Sequence, residues 1–245
     1  MSSSGHLVLV PALLDWPYAA LDPELRKAFE VALHAGTALA LVVALRGEVR
    51  SVARRLDRRT VGHIVCTFVP PAAAGLAFER LIEGRLGDPR GVARAQIGAG
   101  IALGLADLAP GRRPRSSASA RDHLIVGLAQ AAALAPGISR NGATLTAARL
   151  RGFRRRGANE LSRHAALPVI VGATALKGVR LARRGLAPEL RPAFALGAAG
   201  AFGSTLACAG LIRMVDAAPS FAPFAAYRVL LGGVALSRLR VRLSP

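Results

Sequence analysis

Apolar residues fall along this chain in runs long enough to cross a bilayer, and charge is concentrated in the stretches between them. The clearest run is Pro192–Ile212, PAFALGAAGAFGSTLACAGLI, which carries no charge. At the α-helical rise such a run reaches about 30 Å, the thickness of a hydrocarbon core. Gly197, Gly200, Ala201 and Ser204 keep it slim enough for helices to approach closely in lipid. Further runs predict spans at Phe29–Leu45, Val61–Phe78, Val92–Leu108, Leu161–Leu176 and Phe221–Leu236. Glu30, His34, His63, Arg94, Asp107, His164 and Arg228 interrupt these or sit near their ends. The expected fold class is an all-α integral membrane protein with about six transmembrane helices. A soluble Ala-rich bundle is the alternative, and near-spanning runs separated by Arg-rich loops are hard to pack that way.

The polar stretches suggest an orientation. Arg46, Arg50, Arg54, Arg55, Arg58 and Arg59 follow the first span, and Arg112, Arg113, Arg115 and Arg121 follow the third. Arg149, Arg151, Arg154, Arg155 and Arg156 form another cluster. If the apolar stretch between the last two clusters enters and leaves on one side, all three clusters share a face. The positive-inside rule makes that face cytoplasmic. Opposite it fall Arg80, Arg85, Arg90 and Arg94, diluted by Glu79, Glu83 and Asp88, then Arg180, Arg183, Arg184 and Arg191. The tail Arg238, Arg240 and Arg242 also falls there and runs against the rule. Pro110–Ala120, rich in Pro and Ser, reads as a linker between two halves.

Composition adjusts this picture little. Hydrophobic residues make up 52% of the 245, and mean hydropathy is +0.38. The net charge of +19 would ordinarily point to nucleic acid. Here it is split into short clusters, and only 4% of residues are aromatic, too few for base stacking. Nearly all the cations are Arg, the exceptions being Lys27 and Lys177. A GC-rich genome inflates Arg, Ala and Gly together, so excess Arg alone is no sign of phosphate binding. Cys66 and Cys208 sit in apolar surroundings and read as small core hydrophobes.

Two short polar segments carry candidate chemistry. Leu124–Ala135 is apolar but too short to span, and it ends at Pro136-Gly137. Ile138-Ser139-Arg140-Asn141-Gly142-Ala143-Thr144 follows, the pattern of a re-entrant hairpin. Non-helical backbone at membrane depth is tolerated only where protein or a water-filled cavity surrounds it. Gly137 and Gly142 allow close backbone approach, and Ser139, Asn141 and Thr144 offer donors. Arg140 offers a charged fork suited to phosphate oxygens, and amides at a following helix start would add to an anion site. The second segment, Ser2-Ser3-Ser4-Gly5-His6, leads directly into the apolar run Leu7–Leu14. Ser and His side by side suit nucleophilic or acid–base work.

Together the two segments resemble the undecaprenyl-diphosphate phosphatase family of the bacitracin-resistance type. SSSGHLVL resembles its PVSSSGH signature, and PGISRNGAT its PGxSRSGAT signature. FEVALHAGTALALVVAL, ALPVIVGATALK and PFAAYRVLLG, with Tyr227 and Arg228, extend the likeness over nearly the whole chain. The resemblance implies a bacterial inner-membrane hydrolase that converts undecaprenyl diphosphate to the monophosphate and phosphate, recycling the cell-wall lipid carrier. It implies two inverted repeats, each with a re-entrant hairpin, meeting at a site that faces the periplasm. Residues 1–245 would then be one membrane domain, with repeats at 1–109 and 121–245 and a cytoplasmic linker at 110–120. Carried over by position, Ser3 matches the nucleophile, His6 the signature histidine, and Ser139, Arg140 and Thr144 the phosphate-binding set. Ser4, Gly137, Asn141 and Gly142 fall inside the same motifs and join the expected substrate site. A divalent cation, Mg2+ or Ca2+, is the implied cofactor. The partners are the polyprenyl diphosphate lipid and the bilayer, with a homodimer left open.

The chain departs from the pattern twice. Asn141 stands where the family usually has a second Ser, which keeps hydrogen-bonding capacity but removes a nucleophile. The family's pair of glutamates just ahead of PVSSSGH has no counterpart after Met1; Asp15 lies too far along, and Glu30 sits on another span. The expectation is that the natural start lies upstream and supplies them, since Met1 falls where the family has Val. Hydrolysis, by Ser3 or by an activated water, is the expected function. Transport or binding of a polyprenyl phosphate without hydrolysis is the alternative.

Overall fold

The computed structural model describes residues 2–54, 56–78, 81 and 86–241. Met1, Arg55, Glu79, Arg80, Glu83, Arg85 and Arg242, some of which bear on sidedness, lie outside the described residues. The helices are α1 Ser3–Leu14, α2 Pro23–Ala44, α3 Arg46–Arg54, α4 Arg58–Ala77, α5 Pro89–Leu108 and α6 Ala120–Ala132. They continue as α7 Arg140–Leu150, α8 Arg155–Arg184, α9 Arg191–Ala207, α10 Leu211–Asp216 and α11 Ala222–Val241. Short 3-10 turns at Pro17–Ala20, Arg115–Ser117, Pro188–Leu190 and Cys208–Gly210 complete the described elements.

Local chemistry sets several helix starts. Asp22 caps α2 through Glu24 and Leu25 amides, with Pro23 at the first position. Asp88 and Pro89 repeat that device on α5. Ser119 and Asp122 cap each other's backbone at the start of α6, a capping box. Ser2 and Ser139 cap α1 and α7.

Among the described residues, four helical stretches are long and apolar enough to cross a membrane: Pro23–Ala44, Arg58–Ala77, Arg155–Arg183 and Pro188–Gly210. These match four of the expected spans. The expected runs at Val92–Leu108 and Phe221–Leu236 are helical too, as α5 and α11 of 20 residues each. The run Pro192–Ile212 is not one α-helix: α9 ends at Ala207, and a 3-10 turn at Cys208–Gly210 leads into α10. Cys208 is exposed and Cys66 half-buried, and both are free thiols. Cys208 therefore corrects the expectation of a core cysteine, because in lipid an apolar sequence neighbourhood marks exposed surface as readily as interior.

The chain forms two compact units, each drawing on segments from both sides of Pro110–Ala120. One comprises residues 20–61 and 167–215. Here α2 packs on α9 through small residues. A Cβ at Gly36 would fall inside the Ala198 carbonyl, and one at Gly197 would meet the Phe29 ring at 2.8 Å. Phe29 and Phe194 complete the contact edge to face, 5.4 Å between centroids.

The other unit, residues 1–19, 62–166 and 216–245, holds both polar segments. Its core gathers Leu103, Val126, Leu145, Phe153, Leu161 and Phe221, and a second cluster joins Leu9, Val92, Ala93 and Ala235. Helices α5 and α11 lie closely together because Gly100 faces Ala225 O and Gly232 faces Ala93 O. Many arginines that read as loop charges are tied down here. Asp122, fully buried, accepts from Arg113 at 2.7 Å and Arg151 at 2.8 Å. Burial pushes its carboxyl up, but the hydrogen bonds from Arg113, the Ser119 backbone and Arg151 outweigh that. They hold it well below the usual carboxylate range. Asp107 accepts from Arg155, Ser220 Oγ and the Phe221 amide. Pro110–Ala120 is anchored to the chain after α7: Arg112 and Arg113 amides donate to Gly152 O, and Arg154 N donates to Arg113 O.

Candidate active site

Helix α6 ends at Ala132, and the next helix begins at Arg140, so Pro136 and Gly137 fall in the turn between two short helices. Gly137 has φ +92°, and a Cβ on it would come within 2.4 Å of Val92 O on α5. Only glycine meets both demands at low cost. Ser139, 2% exposed, accepts the Gly142 amide through its hydroxyl at 3.2 Å. Arg140 opens α7, and its Nη1 is buried without a hydrogen-bond partner among the described residues. A buried guanidinium nitrogen without a partner at a helix N-terminus, where backbone N–H groups also lack helical partners, favours an anion.

Thr144 and Asn141 are turned differently. Thr144 is fully buried, and its hydroxyl meets Ser162 Oγ at 2.6 Å and the carbonyls of Arg140 and Asn141 at 3.0 Å. Ser162 Oγ in turn donates to Asn141 Oδ1 at 2.7 Å. These groups brace the loop from behind, α8 against α7. Ser162 and its bracing role were not legible in the sequence, since nothing in a helical serine marks it as facing one particular loop.

At the other polar segment, Ser2 caps α1 by accepting the Gly5 amide at 3.2 Å, and Ser4 Oγ lies 3.4 Å from Ser2 Oγ. Ser3 is exposed on the first turn, and no hydrogen bond joins it to His6 among the described residues. His6 instead spans two partners. Its Nδ1 lies 2.6 Å from Ser2 O and its Nε2 2.7 Å from the hydroxyl of Tyr227. A carbonyl only accepts, so Nδ1 carries the proton and, in the neutral ring, Nε2 accepts from the phenol.

What joins the two segments is α11. Tyr227 reaches His6, and the next residue, Arg228, reaches the second loop. Arg228 is 2% exposed, and its Nη2 donates to Gly137 O at 3.0 Å. Its Nη1 sits so near Gly142 that a Cβ there would lie 2.5 Å away. Its Nε is buried without a partner among the described residues. Helix α5 touches both segments as well: Val92 O faces Gly137, and Gln96, fully buried, faces Gly5. The structure thus ties His6 to Tyr227 and the Gly137–Gly142 turn to Arg228, from adjacent positions on α11. Tyr227, Arg228 and Gln96 are the additions to the sequence-derived set. The placement of Tyr and Arg side by side on the last helix was the available signal for two of them.

The donor set is made of guanidinium, hydroxyl and imidazole groups. A divalent cation such as Mg2+ or Ca2+ takes oxygen ligands with carboxylates prominent among them. Among the described residues, no three or more His, Cys, Asp or Glu side chains come together in a way that could hold a metal ion. The chemistry of these groups suits a phosphate and does not by itself suit a metal. An open cleft of about 520 Å³ lies at the far end of α7, lined by Arg149, Arg154, Arg155, Arg156, Asp107 and Asp216 among others. It shares no lining residue with the Ser139–Thr144 loop.

Comparison with known proteins gives the same direction over the full chain. Residues 1–234 match the family described as bacitracin resistance protein BacA. An undecaprenyl-diphosphatase of Geobacter sulfurreducens is 39% identical, over 99% of this chain and 93% of its own length. One from Pelobacter propionicus is 38% identical, over 100% and 92%. One from Campylobacter curvus is 35% identical, over 95% and 89%. These coverages give no clear support to a start upstream of Met1.

Proposed function

The chain belongs to the bacitracin resistance protein BacA family, and from that membership we propose that it is an undecaprenyl-diphosphatase. It hydrolyses undecaprenyl diphosphate to undecaprenyl phosphate and phosphate in a bacterial inner membrane, returning the lipid carrier to cell-wall synthesis and conferring bacitracin resistance. The observation that supports this reading beyond family membership is on α11, where the adjacent residues Tyr227 and Arg228 hydrogen-bond to His6 and to Gly137 O.

In this reading the terminal phosphate sits at the start of α7. Arg140 and Arg228 take its equatorial oxygens with the first amides of α7, compensating charge as the anhydride bond to the lipid phosphate breaks. Ser139 fixes the turn that presents those amides. The attacking oxygen comes from Ser3 or from water, with His6 as the acid–base group. The prenyl tail lies along the apolar helix surfaces.

The wider architecture follows the same reading. Helices α5 and α11 join the four long apolar helices as spans. Helix α1 and the α6–α7 pair are the re-entrant elements of two inverted repeats, 1–109 and 121–245, joined by the cytoplasmic linker 110–120. The arginine-rich loops face the cytoplasm and the site faces the periplasm. Mg2+ or Ca2+ dependence is a separate proposal, read by chelation during turnover.

The test is phosphate release from undecaprenyl diphosphate by the full chain in detergent, with a divalent cation added. Arg140→Ala is expected to lower kcat by about 100-fold or more, and Arg140→Lys to recover only part of it. Tight lipid binding with no release by the wild-type chain would replace this reading with that of a lipid-carrier transporter or binding protein.

A further inference from the structure

We propose that Tyr227 is the positioning residue for His6. It holds the basic nitrogen of the imidazole toward α11, with no hydrogen bond to Ser3 among the described residues. The kinetic consequence of this rests on the phosphatase reading; the geometry does not.

Both ring nitrogens of His6 are occupied. Ser2 O takes Nδ1–H at 2.6 Å, which leaves Nε2 as the one nitrogen able to receive a proton. The Tyr227 hydroxyl meets Nε2 at 2.7 Å. The two rings are nearly parallel, 7° apart with centroids at 5.8 Å. The 2.7 Å contact makes the pair a hydrogen bond and not merely parallel rings packed together.

An imidazole held at one nitrogen still swings about its side-chain torsions; held at both, it has one orientation. The α1 backbone supplies one anchor and a residue far along the chain supplies the other. Successive residues on a helix point about 100° apart, so Tyr227 and Arg228 reach different neighbours from adjacent positions. Tyr227 aligns His6 while Arg228 holds Gly137, and the acid–base group and phosphate site keep their spacing through a single turn of α11. Tyr227 is 39% exposed, so the pair borders space open to a substrate.

The experiment uses the full chain in detergent, labelled with nitrogen-15 at histidine, as wild type, Tyr227→Phe, His6→Ala and the double variant. Phenylalanine keeps the ring and its contacts, so the fold is retained and Tm stays within a few degrees. In wild type the His6 nitrogens report a protonated Nδ1 and a hydrogen-bonded Nε2. In Tyr227→Phe the Nε2 resonance moves to that of an unbonded acceptor. The kcat falls by about 10- to 100-fold, the usual cost of misplacing a reacting group. KM stays within about twofold. The double variant is no slower than His6→Ala alone. Tyr227→Gln, which offers an amide donor, recovers part of kcat and serves if Tyr227→Phe does not fold. An unmoved Nε2 resonance, or losses that add in the double variant, overturns the proposal. If the wild type releases no phosphate, the phosphatase reading fails and the resonance decides alone. Inorganic phosphate should then perturb Nε2 in wild type and not in Tyr227→Phe; the same response in both, or in neither, overturns it.

Discussion

Gln96 lies fully buried on α5, and neither its Nε2 nor its Oε1 has a hydrogen-bond partner among the described residues. A buried unsatisfied polar group costs about 1–3 kcal/mol, and a like-shaped apolar replacement removes that cost. Gln96→Leu is therefore expected to raise the Tm of the detergent-solubilised chain by a few degrees. A drop in Tm would mean that the amide is satisfied by a buried water that leucine cannot hold. Arg140 and Arg228 contrast with Gln96, since each has a buried unsatisfied nitrogen that carries charge, which the proposed phosphate would compensate. Of the residues the sequence singled out, Arg140 and Ser139 were legible from the Pro-Gly break and the hydroxyl–Arg pair. Thr144 was legible as polar, but its turn into the core was not. A side chain's direction depends on the helix packed behind it, here α8 with Ser162.

At the scale of elements, the turn between α6 and α7 depends on one residue. Gly137 combines φ +92° with a close approach to Val92 O. Alanine there adds backbone strain of about 1–2 kcal/mol and pushes the turn off α5. Because Arg228 holds Gly137 O, the displacement also moves a cation of the site. Gly137→Ala should lower Tm and phosphate release together, whereas Gly178→Ala, in a helix with open space around it, should change neither by much. Equal effects at the two positions would remove the special role given to the turn. The sequence located this turn correctly because Pro and Gly interrupt any helical pattern. It also located the span at Pro192–Ile212, within Pro188–Gly210, but nothing in ACAGLI marks the local 3-10 tightening at Cys208–Gly210.

On the scale of the whole molecule, Asp122 ties Arg113 before α6 to Arg151 after α7, outside the spanning segments. The arginines are about one-third exposed and the carboxylate fully buried, so the interaction is partly screened. Losing the carboxylate leaves two arginines short of a partner, and Asp122→Asn should destabilise the chain by about 2–3 kcal/mol, discounted for that exposure. The carboxyl's folded pKa is depressed, so its contribution is present above the unfolded value, about 4. It is lost as pH falls from there through the folded value. Thermal denaturation between pH 7 and pH 3 should thus separate wild type from Asp122→Asn at neutral pH and bring them closer in acid. A gap that stayed constant would show that the carboxylate's charge is not what stabilises the fold.

By itself the sequence determined that this is a helical chain of the membrane, with two polar signatures set among apolar runs. Each of those properties is local: a run of apolar residues either reaches across a bilayer or does not, and a Pro-Gly pair breaks a helix wherever it sits. The tertiary structure alone decided which groups meet. It brought Tyr227 to His6, set Arg228 against Gly137 and Gly142, and paired Asp107 and Asp122 with arginines that read as loop charge. The reason is the solvent. In lipid both faces of a helix are apolar, so the hydropathy that finds a span carries little record of which face is packed, and against what.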